Sequence, residues 1–178
     1  ISYKELEINY QSIQQIFSHE FIFSQRQTLK EHLAKVLDYF KNQQWITMEN
    51  DDVHIQTKGL APLKRYHRLL SSYYEPYYAV WKVLKHVQNK TTEKKETERY
   101  FLNRVHLQFL RSTISHSESI NNTVIHNALA GLAHMGLIEI QTRGVEKHRK
   151  DYYHFSFDTE TDESVGQQLT SLIHTSKT

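Results

Sequence analysis

At 178 residues, with 38% hydrophobic residues, no cysteine and a formal net charge of +2, the chain has room for one domain or two small ones around a real core. The missing cysteines exclude a disulfide framework and thiol chemistry, which suits a reducing compartment, and eleven Tyr with eight Phe exclude disorder throughout. A pI near 8.7 selects neither nucleic acid nor a membrane surface, and no run approaches the roughly 18 apolar residues of a membrane-spanning helix.

The first residue is Ile, from which we expect a piece of a longer polypeptide. Leu6, Tyr10, Ile13 and Phe17 recur at helical spacing and predict an amphipathic helix over 4–18, followed by the apolar plug Phe21-Ile22-Phe23. Thr28-Leu29-Lys30-Glu31 has the form of a capping box, in which a hydroxyl and a carboxylate satisfy orphan donors at a helix start. Leu29, Leu33, Val36, Leu37 and Phe40 then line one helical face, and a short hairpin over 45–56 turns at 49–52. This helix–hairpin unit, 28–56, is the first of two.

After Gly59, Pro62 suits a first helical turn. Leu63, Tyr66, Leu70, Tyr73, Tyr77, Val80, Trp81, Leu84 and Val87 keep helical phase over 60–88, interrupted by Glu75-Pro76. Proline inside a helix removes a hydrogen bond and clashes with the preceding turn, so we expect a kinked helix or two helices meeting there. The stretch 91–98 carries charges of alternating sign and almost nothing apolar, and reads as a linker.

Helical spacing returns over 100–111, and the second unit repeats the first. A helix over 122–135 stops at Gly136. A strand over 137–141, a basic loop over 143–150 and a returning strand over 152–157 follow. The acidic run 158–163 reads as a loop before a last short helix that frays. The expected fold is mainly α with two short β-hairpins: tandem winged-helix-like helix–hairpin units around a long, kinked aromatic helix. The expected organisation is a helical subdomain over 1–90, the linker 91–98, a second unit over 99–157, and a tail over 158–178.

Two surfaces invite a function. Tyr66, Tyr73, Tyr74, Tyr77, Tyr78 and Trp81 form an aromatic stripe, and such rings, apolar in body and polar at the tip, collect at interfaces. Its alternative is a core helix whose hydroxyls reach water at the edge. The other surface is the basic loop, where Arg143, Lys147, Arg149 and Lys150 could contact phosphates while the 123–135 helix entered a major groove. That helix is poorly equipped, because no Lys or Arg occurs from 112 to 136, and base readout needs such donors.

Enzyme motifs are missing from the sequence. There is no GxGxxG, Walker loop, GxSxG or HExxH, and no two of the twelve His stand three or four residues apart. We expect no cofactor, no metal and no catalytic residue.

The order of features resembles the C-terminal region of the bacterial-type membrane-associated glycerol-3-phosphate acyltransferases. The resemblance runs from Tyr3 to Phe157. It takes in the first helix and the Phe21-Ile22-Phe23 plug, Leu29 to Phe40, Gln44-Trp45-Ile46, Asp52-Val53-His54-Ile55, the segment 69–84 with Tyr77 and Trp81, the segment 101–110, and 124–138 ending in Gly136-Leu137-Ile138. In that family the chemistry resides in an N-terminal domain with a His-x4-Asp motif, and none of the twelve His here has Asp five residues on. The resemblance implies a parent enzyme that acylates sn-glycerol 3-phosphate from acyl-CoA or acyl carrier protein, on the cytoplasmic side of a membrane. This chain would be its inactive helical C-terminal domain, with the catalytic domain of the same polypeptide as partner and a peripheral membrane contact. The rival expectation is a winged-helix DNA-binding regulator.

Overall fold

The computed structural model describes residues 1–23, 27–144 and 149–174, the side chains of Ser119, Leu172, Ile173 and His174 excepted. The fold is mainly α, 62% helical, with two small antiparallel sheets. The chain divides into two compact units, Ile1–Leu70 and Ser71–Thr178.

In the first unit, Ser2 caps helix α1 (Tyr3–Ile16), its hydroxyl accepting the Glu5 N–H. Helix α2 (Leu29–Asn42) opens with the expected capping box: Thr28 Oγ1 accepts from the Glu31 N–H at 3.2 Å, and the Glu31 carboxylate accepts from the Thr28 N–H at 2.8 Å. Two orphan donors are thereby satisfied at once. Strands β1 (Ile46–Glu49) and β2 (Asp52–Ile55) pair in antiparallel register, Met48 opposite Val53.

The two turn residues, Asn50 and Asp51, sit at φ 50° and 67°. A two-residue turn with both φ positive matches the right-handed twist of the strands, and Asn and Asp tolerate that region better than other side chains. An edge is added by the extended start of the chain: Ser2 bridges Asp52, and the Val53 N–H donates to the Ile1 carbonyl at 2.8 Å. Leu33, Leu37, Ile46 and Val53 make a small core, flanked by Tyr3, Leu6, Phe40, Met48 and Leu63.

Helix α3 (Thr57–Leu84) is one element through Pro76, so the alternative of two helices meeting at Glu75-Pro76 is not what forms. Tyr74, Tyr77 and Val80 on the turns around the proline are buried, and that packing compensates a helix at the one bond proline removes.

In the second unit, strand β3 (Thr91–Glu93) leads into α4 (Lys94–Leu110), a 3-10 turn at Ser117–Ser119 and α5 (Asn122–His134). Asn121 caps α5 through its side-chain oxygen, which accepts the Val124 N–H at 2.9 Å. Gly136 at φ 84° ends the helix. Strands β4 (Glu139–Arg143) and β5 (Lys150–His154) form the second hairpin, and β3 joins the far side of β5, giving the order β3-β5-β4. Phe101 and Phe155 stack at 5.9 Å between centroids in a core that also holds Val105, Ile125, Leu129, Leu132, Leu137 and Tyr153.

The charged stretch 91–98 is occupied by β3 and the opening turn of α4. Its charges sit on an edge strand and a helix start, both places where ionised side chains reach water. The acidic run is corrected likewise. It is not a loop but the first turn of α6 (Thr159–His174). Asp158 accepts the Thr161 N–H at 2.7 Å, and carboxylates in a first turn complement the positive end of the helix dipole.

Candidate functional site

The aromatic stripe divides by depth. Tyr74 and Tyr77 are buried, at 3% and 0% exposure, so neither ring stands on a surface where a partner could reach it, contrary to the interface expected from the sequence; Tyr73 stays exposed. Helical periodicity places all six on neighbouring faces and cannot tell which face a neighbour covers. Trp81 and Tyr78 are half-buried. The Trp81 indole N–H donates to Asp162 at 2.8 Å, Lys85 pairs with Asp162 at 3.4 Å and lies over the Trp81 ring, and Lys82 lies over Tyr78. Gly166 on α6 permits this contact, because a Cβ there would come within 2.3 Å of the Trp81 ring.

Of the basic loop, Lys147 lies outside the described residues. Arg143 stacks over Tyr152 and donates to Gln141, and Lys150 pairs with Glu93 at 2.7 Å, which raises the Lys150 pKa. Arg149 is exposed. Among the described residues of the loop, Arg143 and Lys150 already have partners within the sheet. On α5, Ile125, Ala128, Leu129, Gly131 and Leu132 are buried, and the positions that reach solvent include no Lys or Arg to read bases.

Chemistry-bearing side chains that spacing could not associate are joined across the second unit. Glu98 and His126 pair at 2.8 Å. Ser71, His116 and Glu75 form a chain: Glu75 Oε2 lies 3.0 Å from His116 Nδ1, and His116 Nε2 lies 3.2 Å from the Ser71 hydroxyl. A carboxylate can only accept, so Nδ1 donates and Nε2 is left to accept from Ser71. That is the hydrogen-bond order of a nucleophilic triad.

Two features work against such chemistry. Ser71 is buried in the interior of α3, where backbone N–H groups are committed to the helix and cannot stabilise an oxyanion. The same Glu75 oxygen also accepts the N–H groups of Ser115 and His116, at 3.0 and 3.1 Å, so it braces the turn after α4. The i, i+4 spacing of Ser71 and Glu75 was the only trace of this cluster in the sequence; His116 comes to it through tertiary folding.

An apolar depression lies on the first unit. A groove of ≈ 400 Å³ runs between α2 and α3, lined by His32, Lys35, Val36, Tyr39, Phe40 and Tyr66. Trp45 sits against it, with ring centroids 5.9 Å from Tyr39 and 6.1 Å from Tyr66. Tyr10 stacks on His32 and hydrogen-bonds its Nδ1; burial raises the Tyr10 pKa, partly offset by a hydrogen bond to Gln14. Among the described residues there is no cluster of three metal-binding side chains, and no helix long and apolar enough to cross a membrane.

The family model for the glycerol-3-phosphate acyltransferase C-terminal region matches residues 1–141. The match covers the first unit and the second as far as β4. A search of curated proteins found no match.

Proposed function

We propose that this chain, which belongs to the family of glycerol-3-phosphate acyltransferase C-terminal regions, is a non-catalytic helical domain that packs on and stabilises the catalytic domain of such an enzyme. The parent would acylate sn-glycerol 3-phosphate from acyl-CoA or acyl carrier protein, at the cytoplasmic side of a membrane. The observation that carries this reading is the family match over residues 1–141. The missing His-x4-Asp pattern supports it, as does the use of His116 and His126 as braces between elements.

Two assays of the purified chain test the proposal. It is expected to form no acylated product from acyl-CoA and sn-glycerol 3-phosphate, and to leave Ser71 unlabelled by a fluorophosphonate. Joined to the catalytic domain, it should lengthen the half-life of activity on warming. Product formed by the chain alone, or a labelled Ser71, would refute the non-catalytic claim; an unchanged half-life would refute the stabilising one.

One observation favours a second reading. The order β3-α4-α5-β4-β5 with the sheet order β3-β5-β4 supports a winged-helix reading. A winged-helix regulator would bind duplex DNA with a steep salt dependence that weakens when Arg143, Lys147, Arg149 and Lys150 are replaced by Ala. Binding that ignores those replacements would eliminate it.

A further inference from the structure

The two sheets finish their edges differently. In the first, the extended residues Ile1 and Ser2 run along the outer side of β2. In the second, β4 is the last strand on its side. Among the described residues no backbone hydrogen bond beyond those to β5 engages 139–143. An open edge is a template for another strand unless it is very short, bulged, or carries proline or charges that turn a newcomer away. Strand β4 is five residues long and pairs with β5 one for one, with neither bulge nor proline. The cover of the sheet also stops short of it: Tyr153 is 1% exposed, whereas Ile140, its partner on the same face, is 50% exposed.

The charges on β4 are one of each sign, Glu139 at one end and Arg143 at the other. Glu139 makes no ion pair among the described residues. Arg143 donates to Gln141 and stacks over Tyr152, and a guanidinium has five donors to share.

Glu139-Ile140-Gln141-Thr142-Arg143 is therefore complementary to its own reverse. Backbone groups alternate in direction along a strand, so an antiparallel copy can pair only residues whose groups point the same way. A copy centred on Gln141 meets that condition. It sets Glu139 against Arg143 at both ends, Ile140 against Thr142, and Gln141 against itself. Moving the centre by one residue separates the charges, and an in-register parallel copy sets like against like. The other outer strands lack this property: β1 carries only Glu49, and β3 only Glu93, which Lys150 already engages.

We propose that β4 is a self-association edge, along which two copies of this chain pair in antiparallel register about Gln141 and join their three-stranded sheets into one. Such a contact is isologous and closes on itself at two copies. It uses the second unit alone and does not rest on the accessory-domain reading.

The test uses the purified full chain. A contact one strand long is smaller than a standard interface, so the dimer should be weak, and sedimentation velocity should show it growing in as concentration rises. Glu139→Arg and Arg143→Glu should each lower the association constant about ten-fold, because the two-fold axis counts every reversal twice. The double reversal should restore it.

A second readout uses the absence of native cysteine. In Gln141→Cys each thiol faces its own copy across the axis, and mild oxidation should give a disulfide-linked dimer. In Thr142→Cys each thiol faces Ile140, out of disulfide reach of its copy, and should give none. These positions are exposed or half-buried, so circular dichroism should show every variant folded. A chain that stays monomeric at every concentration, a double reversal as weak as the single ones, or cross-linking at 142 as ready as at 141 would overturn the proposal. So would a dimer that ignores the charges on β4 and is lost instead in Leu69→Gln with Leu70→Gln, at exposed positions of α3.

Discussion

The two units share a plan and differ in what they bury. The first runs from an extended edge at Ile1-Ser2 through α1, α2 and the β1–β2 hairpin into α3. The second runs from β3 through α4, α5 and the β4–β5 hairpin into α6. In both, the edge piece pairs with the second hairpin strand, and the departing helix brings a glycine against a tryptophan: Gly59 against the Trp45 backbone and Gly166 against the Trp81 ring. Yet, among the described residues, only six of the buried apolar ones belong to Ile1–Leu70, and twenty to Ser71–Thr178. Connectivity therefore does not dictate how much apolar surface goes inside. The second unit carries the deep core, and the first keeps large apolar side chains on an outer face.

Truncating the two cores should expose that difference most strongly. Phe155→Ala removes a ring with no solvent exposure and is expected to cost about 3–5 kcal/mol. Leu37→Ala, in a small core rimmed by partly buried side chains, should sit near the low end of its class, about 2–3 kcal/mol. Chemical denaturation followed at Trp81 and at Trp45 in single-tryptophan backgrounds reads the two units separately. Equal costs would mean that the units are equally well packed.

Much of this plan could be read from the residues, for reasons that name themselves. The capping box at Thr28 and Glu31, the stop at Gly136 and the first hairpin are local devices, and each forms where its residues stand; the second hairpin forms too, but its strands extend to Arg143 and Lys150, which pair instead of belonging to the loop. What failed to show was whatever depends on distant partners. Nothing near Thr91 announces that it will pair with His154, so β3 passed for part of a linker. Asp158 looked like one acid among several until its hydrogen bond to Thr161 made it a helix cap. The stripe on α3 announced aromatic chemistry, but Tyr74 and Tyr77 are inside, and the surface face begins a turn earlier, at Tyr66.

The glycine–tryptophan contacts give the next largest effects. A Cβ at position 59 would meet the Trp45 carbonyl oxygen at 2.2 Å, and one at 166 the Trp81 ring at 2.3 Å. Gly59→Ala and Gly166→Ala should each cost about 1–3 kcal/mol through overpacking. The first must displace backbone and should be the worse of the two; the second can be relieved in part by ring movement. Adding Trp81→Phe should recover part of the loss in Gly166→Ala and none in Gly59→Ala, as measured by the thermal midpoint. Recovery of both would mean that the strain is not where these contacts put it.

The hairpin turns separate the units more gently. Asn50 and Asp51 hold positive φ angles of 50° and 67°, a conformation glycine adopts at no steric cost. Asp51→Gly should therefore stabilise the first unit by roughly 0.5–1 kcal/mol and raise its denaturation midpoint without moving that of the second. A loss of stability instead would mean that the Asp51 side chain contributes more than its strain costs.

The acid-sensitive caps should give the finest distinction. Hydrogen bonds from Thr28 hold the Glu31 carboxyl below its ordinary pKa, and hydrogen bonds from Thr161 do the same for Asp158. With the folded value depressed, each cap contributes stability that is complete above the unfolded carboxylate pKa and is lost as the pH falls through the folded one. Glu31→Gln should flatten the acid limb of unfolding reported by Trp45, and Asp158→Asn the limb reported by Trp81. Thr28→Ala, which breaks the capping box at any pH, should cost about 1 kcal/mol already at neutrality. An acid limb at Trp81 indifferent to Asp158→Asn would mean that α6 does not take its start from that carboxylate, and would return the acidic run to the loop its composition suggested.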